Sequence, residues 1–179
     1  LVDQLQTADI ALITDAGMPG LSDPGYQLVQ AALAAGFTVT PIPGPTAVVT
    51  ALVASGLPSD QFLFLGFLPR QRTARQAALQ AVATLPYPLV FYESPHRLRA
   101  LLADSVACLG DRPVVIAREL TKRFEEFWRG SLSEAEAVMA DRDRIRGEIT
   151  VVIGGAAADT GRWSEAAVRE AMAAEIALG

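Results

Sequence analysis

The stretch Thr14-Asp15-Ala16-Gly17-Met18-Pro19-Gly20-Leu21-Ser22-Asp23-Pro24-Gly25-Tyr26 constrains this chain more than any other. It follows Ile10-Ala11-Leu12-Ile13, an apolar run that reads as a buried strand. It precedes residues 27–35, where Leu28, Val29, Ala32 and Leu33 fall at helical spacing. A loop with three glycines and two prolines thus joins a strand end to a helix start. Ligands bind at such places in open α/β sheets, because strand ends and helix amino ends leave backbone N–H groups unpaired. An ordinary βα turn has the same appearance, with Asp23 and Pro24 as N-cap and first helical residue. The glycine spacing does not fit G-x-G-x-x-G, and no Lys follows to make a Walker loop.

A second unit repeats the arrangement. Residues 37–42 form a β-type run ending in Pro43-Gly44-Pro45-Thr46-Ala47, after which Val48, Val49, Leu52 and Val53 predict a helix capped by Thr46. Gly56-Leu57-Pro58-Ser59-Asp60 is a turn, and residues 61–68 read as a strand completing the first sheet.

Beyond it, Arg70, Arg72 and Arg75 sit at the start of a helix running through Ala77, Leu79, Ala81 and Val82. Cations there oppose the helix dipole by about 0.3–1 kcal/mol each, which suggests use on a ligand, although a solvated helix end looks the same. Strands are expected at residues 89–92, 114–117, 124–130 and 149–153. Leu98, Leu101, Leu102 and Val106 mark one helix between them. A second runs through Ala137, Val138 and Met139, with Ser133 and Glu136 as its capping box. Residues 156–161 read as a linker and 163–178 as a helix.

Composition narrows the chemistry. One cysteine, Cys108, and one histidine, His96, leave no disulfide framework, cysteine zinc cluster or multi-histidine metal site. Cys108 reads as packing; Phe124, Phe127 and Trp128 read as core, although an aromatic could also stack a flipped base. No apolar run is long enough for a membrane span, and the expected localisation is cytoplasmic. The net charge of −5 is unevenly spread. Residues 1–69 hold five Asp and no Lys or Arg, whereas residues 70–130 hold ten basic side chains against six acidic ones. Such a basic zone can grip phosphates within an acidic protein.

The motifs T-D-A-G-M-P-G-L-S-D-P-G-Y, P-G-P-T-A, G-L-P-S-D, F-L-G-F-L-P, F-Y-E-S-P-H-R, A-R-E-L-T-K and G-E-I-T-V-V-I-G-G occur in this order up to Gly155. Together they resemble the tetrapyrrole methylase family. E-S-P-H-R with A-R-E-L-T-K resembles its branch that methylates the 2′-oxygen of a cytidine ribose in 16S ribosomal RNA of the small subunit. The implied fold is two α/β domains with the cofactor cleft between them. Residues 1–69 would be the remainder of a truncated first domain, 70–156 the second domain, and 157–179 the start of a carboxyl-terminal helical extension. Family members open with a strand and a Pro-Ile-Gly-Asn loop that this chain lacks, so a fragment is expected.

The implied cofactor is S-adenosylmethionine, and the implied assembly a homodimer. Carried over by motif, the cofactor would meet Gly17, Met18, Pro19, Leu21, Thr46, Ala47, Tyr92, Thr121 and Glu148. Met18 stands where the family often has Asp, leaving Asp15 or Asp23 to make that contact. The candidates for chemistry are Glu93, Arg118, Glu119 and Lys122, all at expected strand ends. Glu93 or Glu119 would accept the ribose proton and Lys122 would lower the hydroxyl pKa. A salt-bridge network of Arg118, Glu119 and Lys122 that only shapes the cleft is the alternative. For RNA phosphates the candidates are Arg70, Arg72, Arg75, Arg97, Arg99 and Arg123, and His96 reads as a helix cap or RNA contact. Two other functions stay open: a methyltransferase for a small tetrapyrrole, and a non-enzymatic nucleotide-binding module.

Overall fold

The computed structural model describes residues 1–157. The expected helix over 163–178 and most of its linker lie outside them. After a short 3-10 turn at Val2–Gln6, the elements are α1 (Tyr26–Ala34), α2 (Ala47–Ser55), β1 (Leu63–Phe64), α3 (Arg72–Ala81) and β2 (Leu89–Glu93). There follow α4 (Leu98–Leu109), β3 (Pro113–Arg118), β4 (Glu126–Ser131), α5 (Leu132–Asp141) and β5 (Ile149–Ile153). The fold is mixed α/β.

One five-stranded sheet in the order β1-β2-β5-β3-β4 organises it. β1 pairs in parallel with β2, and the other neighbours are antiparallel. All five residues of β5, the central strand, are buried, which matches its unbroken apolar sequence. Strand parity divides the two faces. Leu89, Phe91, Val114, Ile116, Val151 and Ile153 pack with Leu79 of α3, Leu98, Leu101 and Leu102 of α4, and Leu132 and Met139 of α5. Val90, Val115, Ala117 and Val152 point the other way, onto Val48, Ala51 and Leu52 of α2. Each buried leucine contributes about 1.5–3 kcal/mol.

Several expectations require correction. Residues 10–13 and 37–42 are not strands: among the described residues no strand hydrogen-bonds to them, and Ile13 and Ile42 are 84% and 82% exposed. A β-type run without a ladder partner leaves its N–H and C=O groups to solvent, so propensity alone does not hold it. The strand expected over 61–68 shrinks to Leu63–Phe64, and it joins β2 instead of a separate first sheet. Asp23 does not cap α1. Gly25 occupies the N-cap with φ 138°, while Asp23 accepts the Thr14 hydroxyl at 2.9 Å.

The cap of α5 is Ser131 with Glu134, two residues before the expected pair. Ser133 is held instead by Asp111, which accepts its N–H at 2.9 Å and its hydroxyl at 2.8 Å. Phe124 is solvent-exposed, not core, whereas Phe127 and Trp128 do pack against the two core faces. Thr46 caps α2 as expected, its hydroxyl accepting the Val49 N–H at 3.1 Å.

Candidate functional site

A cleft of about 570 Å³ opens beside the amino end of α2 and the ends of β2 and β3. That is ample for a small organic ligand. Its walls come from residues 14–18 and 21–23, 45–47 with Thr50, Phe67, 92–95, 120–122 and 147–150. Two tandem loops, the end of β2 and the turns flanking β3 and β5 therefore converge, although their sequences lie far apart.

The first loop is shaped by left-handed backbone. Gly17 has φ 77°, and a side chain there would meet the Pro45 carbonyl oxygen at 3.4 Å. Ser22 adopts φ 61° without being glycine. The Thr14–Asp23 hydrogen bond closes the loop on itself. Gly17, Met18 and Leu21 line the cleft as expected, but Pro19 does not. Thr46 and Ala47 line it from the second loop. Tyr92 shares the parity of Val90 and so faces α2. Burial raises its pKa, partly offset by the Val48 N–H at its hydroxyl.

The four candidates for chemistry separate. Glu93 and Lys122 line the cleft; Arg118 and Glu119 do not. Arg118 has the parity of Val114 and Ile116, so it lies on the opposite sheet face. There its Nε donates to Glu126 Oε2 at 3.0 Å, and Arg142 donates to the same carboxylate. Glu119 turns back from the cleft. Its Oε1 accepts the Glu148 N–H at 2.9 Å and the Lys122 ammonium at 3.1 Å. Those hydrogen bonds, the backbone one first, hold its pKa below the usual carboxylate range. Lys122 also reaches Glu148 Oε2 at 2.9 Å, and the carboxylates of Glu148 and Glu119 raise its pKa.

Glu93 is 2% exposed. Its Oε1 accepts the Ser94 N–H at 2.7 Å, while Oε2 lies 3.4 Å from Arg97 Nη2 and receives no hydrogen bond. Strand parity sets its side chain with Leu89 and Phe91, so this second oxygen is buried beside Arg97.

The arginines expected on RNA divide as well. Arg75 is 5% exposed, and it donates to Asp104 Oδ2 at 2.8 Å. Arg72 and Gln76 donate to Asp104 Oδ1. Burial alone would raise the Asp104 pKa, but these three donors bring it below the ordinary value. Arg75 is therefore an internal ion partner joining α3 to α4, and the dipole cost at this helix end is met by Asp104. Arg97 donates to the Leu68 and Pro69 carbonyls. Arg99 donates to those of Met139 and Arg142. Arg70 and Arg123 are exposed, as is His96, and the N-cap of α4 is Arg97.

Sequence comparison decides the family. The model of the family described as Tetrapyrrole (Corrin/Porphyrin) Methylases matches residues 1–136. The chain belongs to this family. A relative from Micromonospora olivasterospora named "Ribosomal RNA small subunit methyltransferase I" is 53% identical over 147 residues, 82% of this chain and 47% of that protein. The chain spans about half the length of the curated relatives it matches. Among solved structures, the methyltransferase CobJ superposes with TM-score 0.65 at 21% identity, over 87% of this chain and 68% of that one. The Thermus thermophilus uroporphyrin-III C-methyltransferase, complexed with S-adenosyl homocysteine, gives TM-score 0.52 at 22% identity, over 77% and 62%. These two likenesses concern the fold.

The cleft of this tetrapyrrole methylase is acidic. Asp15, Asp23, Glu93 and Glu148 line it against a single ammonium, Lys122. A cation suits that field better than a pyrophosphate. Among the described residues no group of histidine, cysteine and carboxylate side chains is spaced to hold a metal ion, and no helix is long and apolar enough to cross a membrane.

Sequence reasoning missed Phe67, Thr50 and Ser94 as lining residues. Phe67 could have been found, since it follows Gly66, a left-handed turn residue with φ 60°, in F-L-G-F-L-P just beyond the strand. Thr50 lies one helical turn after Thr46 on the same face, a second available signal.

Proposed function

We propose that this chain is the cofactor-binding and catalytic part of an S-adenosylmethionine-dependent methyltransferase. Its substrate is the 2′-hydroxyl of a cytidine in 16S ribosomal RNA of the small subunit, and it works in the cytoplasm as a homodimer. The observation that carries the reading is the acidic, loop-built cleft in a member of this family. Four carboxylates around one ammonium suit a sulfonium cofactor with an ammonium group of its own, and they disfavour a nucleotide polyphosphate. The apolar wall of Met18, Leu21, Phe67 and Leu120 suits its adenosyl part. A fold neighbour complexed with S-adenosyl homocysteine supports the choice of cofactor. The curated relative at 53% identity supports an RNA substrate over a tetrapyrrole, since the tetrapyrrole enzyme from Thermus thermophilus is only 22% identical.

When bound, S-adenosylmethionine supplies an activated methyl group, so neither a metal nor a covalent enzyme intermediate is required. What the chain's residues do is position and accept a proton. Gly17 lets the backbone approach the ligand, and Asp15, Asp23 and Glu148 hold positive charge. Glu93, the buried carboxylate that lines the cleft, is the acceptor for the ribose hydroxyl proton, with the Arg97 guanidinium 3.4 Å from its Oε2. Lys122 stays protonated between Glu119 and Glu148, placing a positive charge beside the reacting oxygen. Alignment of the two reactants supplies most of the remaining acceleration.

The test is transfer of a labelled methyl group from S-adenosylmethionine to unmodified small subunits by the full-length protein, with the product mapped. Label on one cytidine 2′-oxygen is expected. Label on a uroporphyrinogen, with none on RNA, would replace this reading by the tetrapyrrole one.

A further inference from the structure

The loop between β3 and β4 holds two non-glycine residues in the left-handed region, Glu119 at φ 51° and Thr121 at φ 63°. Each costs about 1–3 kcal/mol and persists only where the surroundings enforce it. Here they do so redundantly. The Thr121 N–H donates to Glu125 Oε2 at 2.6 Å, the Lys122 N–H to the Glu119 carbonyl at 3.0 Å, and the Glu125 N–H to the Lys122 carbonyl at 3.2 Å. The Glu119 carboxylate ties the loop to the turn before β5.

What this rigid loop presents outward is Phe124, 63% exposed, with the Arg123 guanidinium 5.5 Å from its ring centre. Two residues earlier, Lys122 lines the cleft. Along the described chain the next exposed large apolar side chains on either side are Phe67 and Val138, and the flanking residues Arg123 and Glu125 are charged. An exposed aromatic face beside a guanidinium, on a loop that also lines the cleft, suits one unpaired base with its phosphate.

We propose that Phe124 is a stacking platform for an unpaired nucleobase of the RNA substrate and that Arg123 contacts the adjoining phosphate. The proposal rests on the RNA reading above. The rigid loop carries no ordering cost on binding, and the platform sets which nucleotide enters the cleft.

The experiment uses the full-length protein, a single-stranded RNA oligonucleotide and small subunits. Phe124→Ala should weaken oligonucleotide binding about tenfold, with unchanged salt dependence and unchanged S-adenosylmethionine affinity. Phe124→Trp should restore binding and Phe124→Leu should not, which separates stacking from packing. Arg123→Ala should flatten the salt slope by about one unit. Wild-type affinity in Phe124→Ala overturns the platform while leaving the RNA reading intact, provided wild-type protein methylates the subunit. A shift of Phe124→Ala from dimer to monomer in sedimentation assigns the surface to a second copy and also overturns it. No RNA binding by wild-type protein overturns both.

Discussion

Glu119 Oε1 accepts the backbone N–H of Glu148 at 2.9 Å, joining the loop after β3 to the turn before β5. The same oxygen takes the Lys122 ammonium, so this carboxylate is committed to holding two walls of the cleft. Its lowered pKa has the same origin and makes it a poor proton acceptor. A general base would lose about 10²-fold or more on conversion to the amide. Glu119→Gln keeps an oxygen for the Glu148 N–H, and its methyl-transfer rate should stay within a few-fold of wild type. Glu119→Ala should raise the KM for cofactor and lower the melting temperature. Steady-state kinetics with thermal melts distinguishes these outcomes, and a 10²-fold loss in kcat for the amide would return Glu119 to the chemistry.

The same contact makes Gly147 sensitive. Its φ is 89°, and a methyl group there would sit 2.5 Å from Glu119 Cγ. Gly147→Ala should destabilise the protein by about 1–3 kcal/mol and weaken cofactor binding, read by chemical denaturation and calorimetry. Stability and affinity both at the wild-type level would show that the turn is not pinned.

Asp104 gathers Arg72, Arg75 and Gln76 in one buried site. Removing one member of such a group strands the other charge, at a cost of about 3–5 kcal/mol. Arg75→Ala and Asp104→Ala should each lower stability by that order, while the salt slope of RNA binding stays unchanged. A flattened slope with intact stability would place Arg75 on phosphate after all.

These residues show what a sequence hides. Arg75 was visible as a cation at a helix start, but its partner Asp104 lies 29 residues later, on α4. Arg118 was correctly placed at a strand end, yet one residue of parity sends it to the far face of the sheet. Helix spacing and turn chemistry are local, so α2, its Thr46 cap, α4 and the uninterrupted apolar β5 could be read directly. Whether residues 10–13 or 37–42 become strands depends on a pairing partner, which no local pattern carries. The choice between Ser131 and Ser133 as cap turns on Asp111, remote in sequence. The loop around Gly17 was legible because positive φ and close approach demand glycine locally.

Acid should act through Glu126. The Arg142 and Arg118 guanidinium groups bring its pKa from 4.5 to about 2. A folded value below the unfolded one gives a contribution that is full above about pH 4.5 and lost as pH falls toward about 2. Glu126 is about one-third exposed, so solvent screening leaves roughly 1 kcal/mol. Glu126→Gln should be less stable than wild type near neutrality, and the difference should vanish by about pH 2. A gap that persists there would mean packing, not charge, is responsible.

Glu93 provides the sharpest test of the chemistry. Its Oε1 accepts the Ser94 N–H, and Oε2 is buried 3.4 Å from Arg97 Nη2. In Glu93→Gln the amide oxygen can still accept from Ser94, so the strand end keeps its shape. The position of Oε2 then carries an NH₂ group, which cannot take a proton. A proton acceptor predicts a fall in kcat of about 10²–10⁴, with the affinities for cofactor and subunit nearly unchanged. A structural partner of Arg97 predicts a different pattern. The amide would sit against the guanidinium, Arg97 would loosen its hold on the Leu68 and Pro69 carbonyls, and melting temperature would drop with little change in kcat. Single-turnover methyl transfer isolates the chemical step, a readout that packing does not move. If its single-turnover rate matches wild type, the proton goes elsewhere, and the acceptor must be sought between Asp15 and Asp23, which also line the cleft.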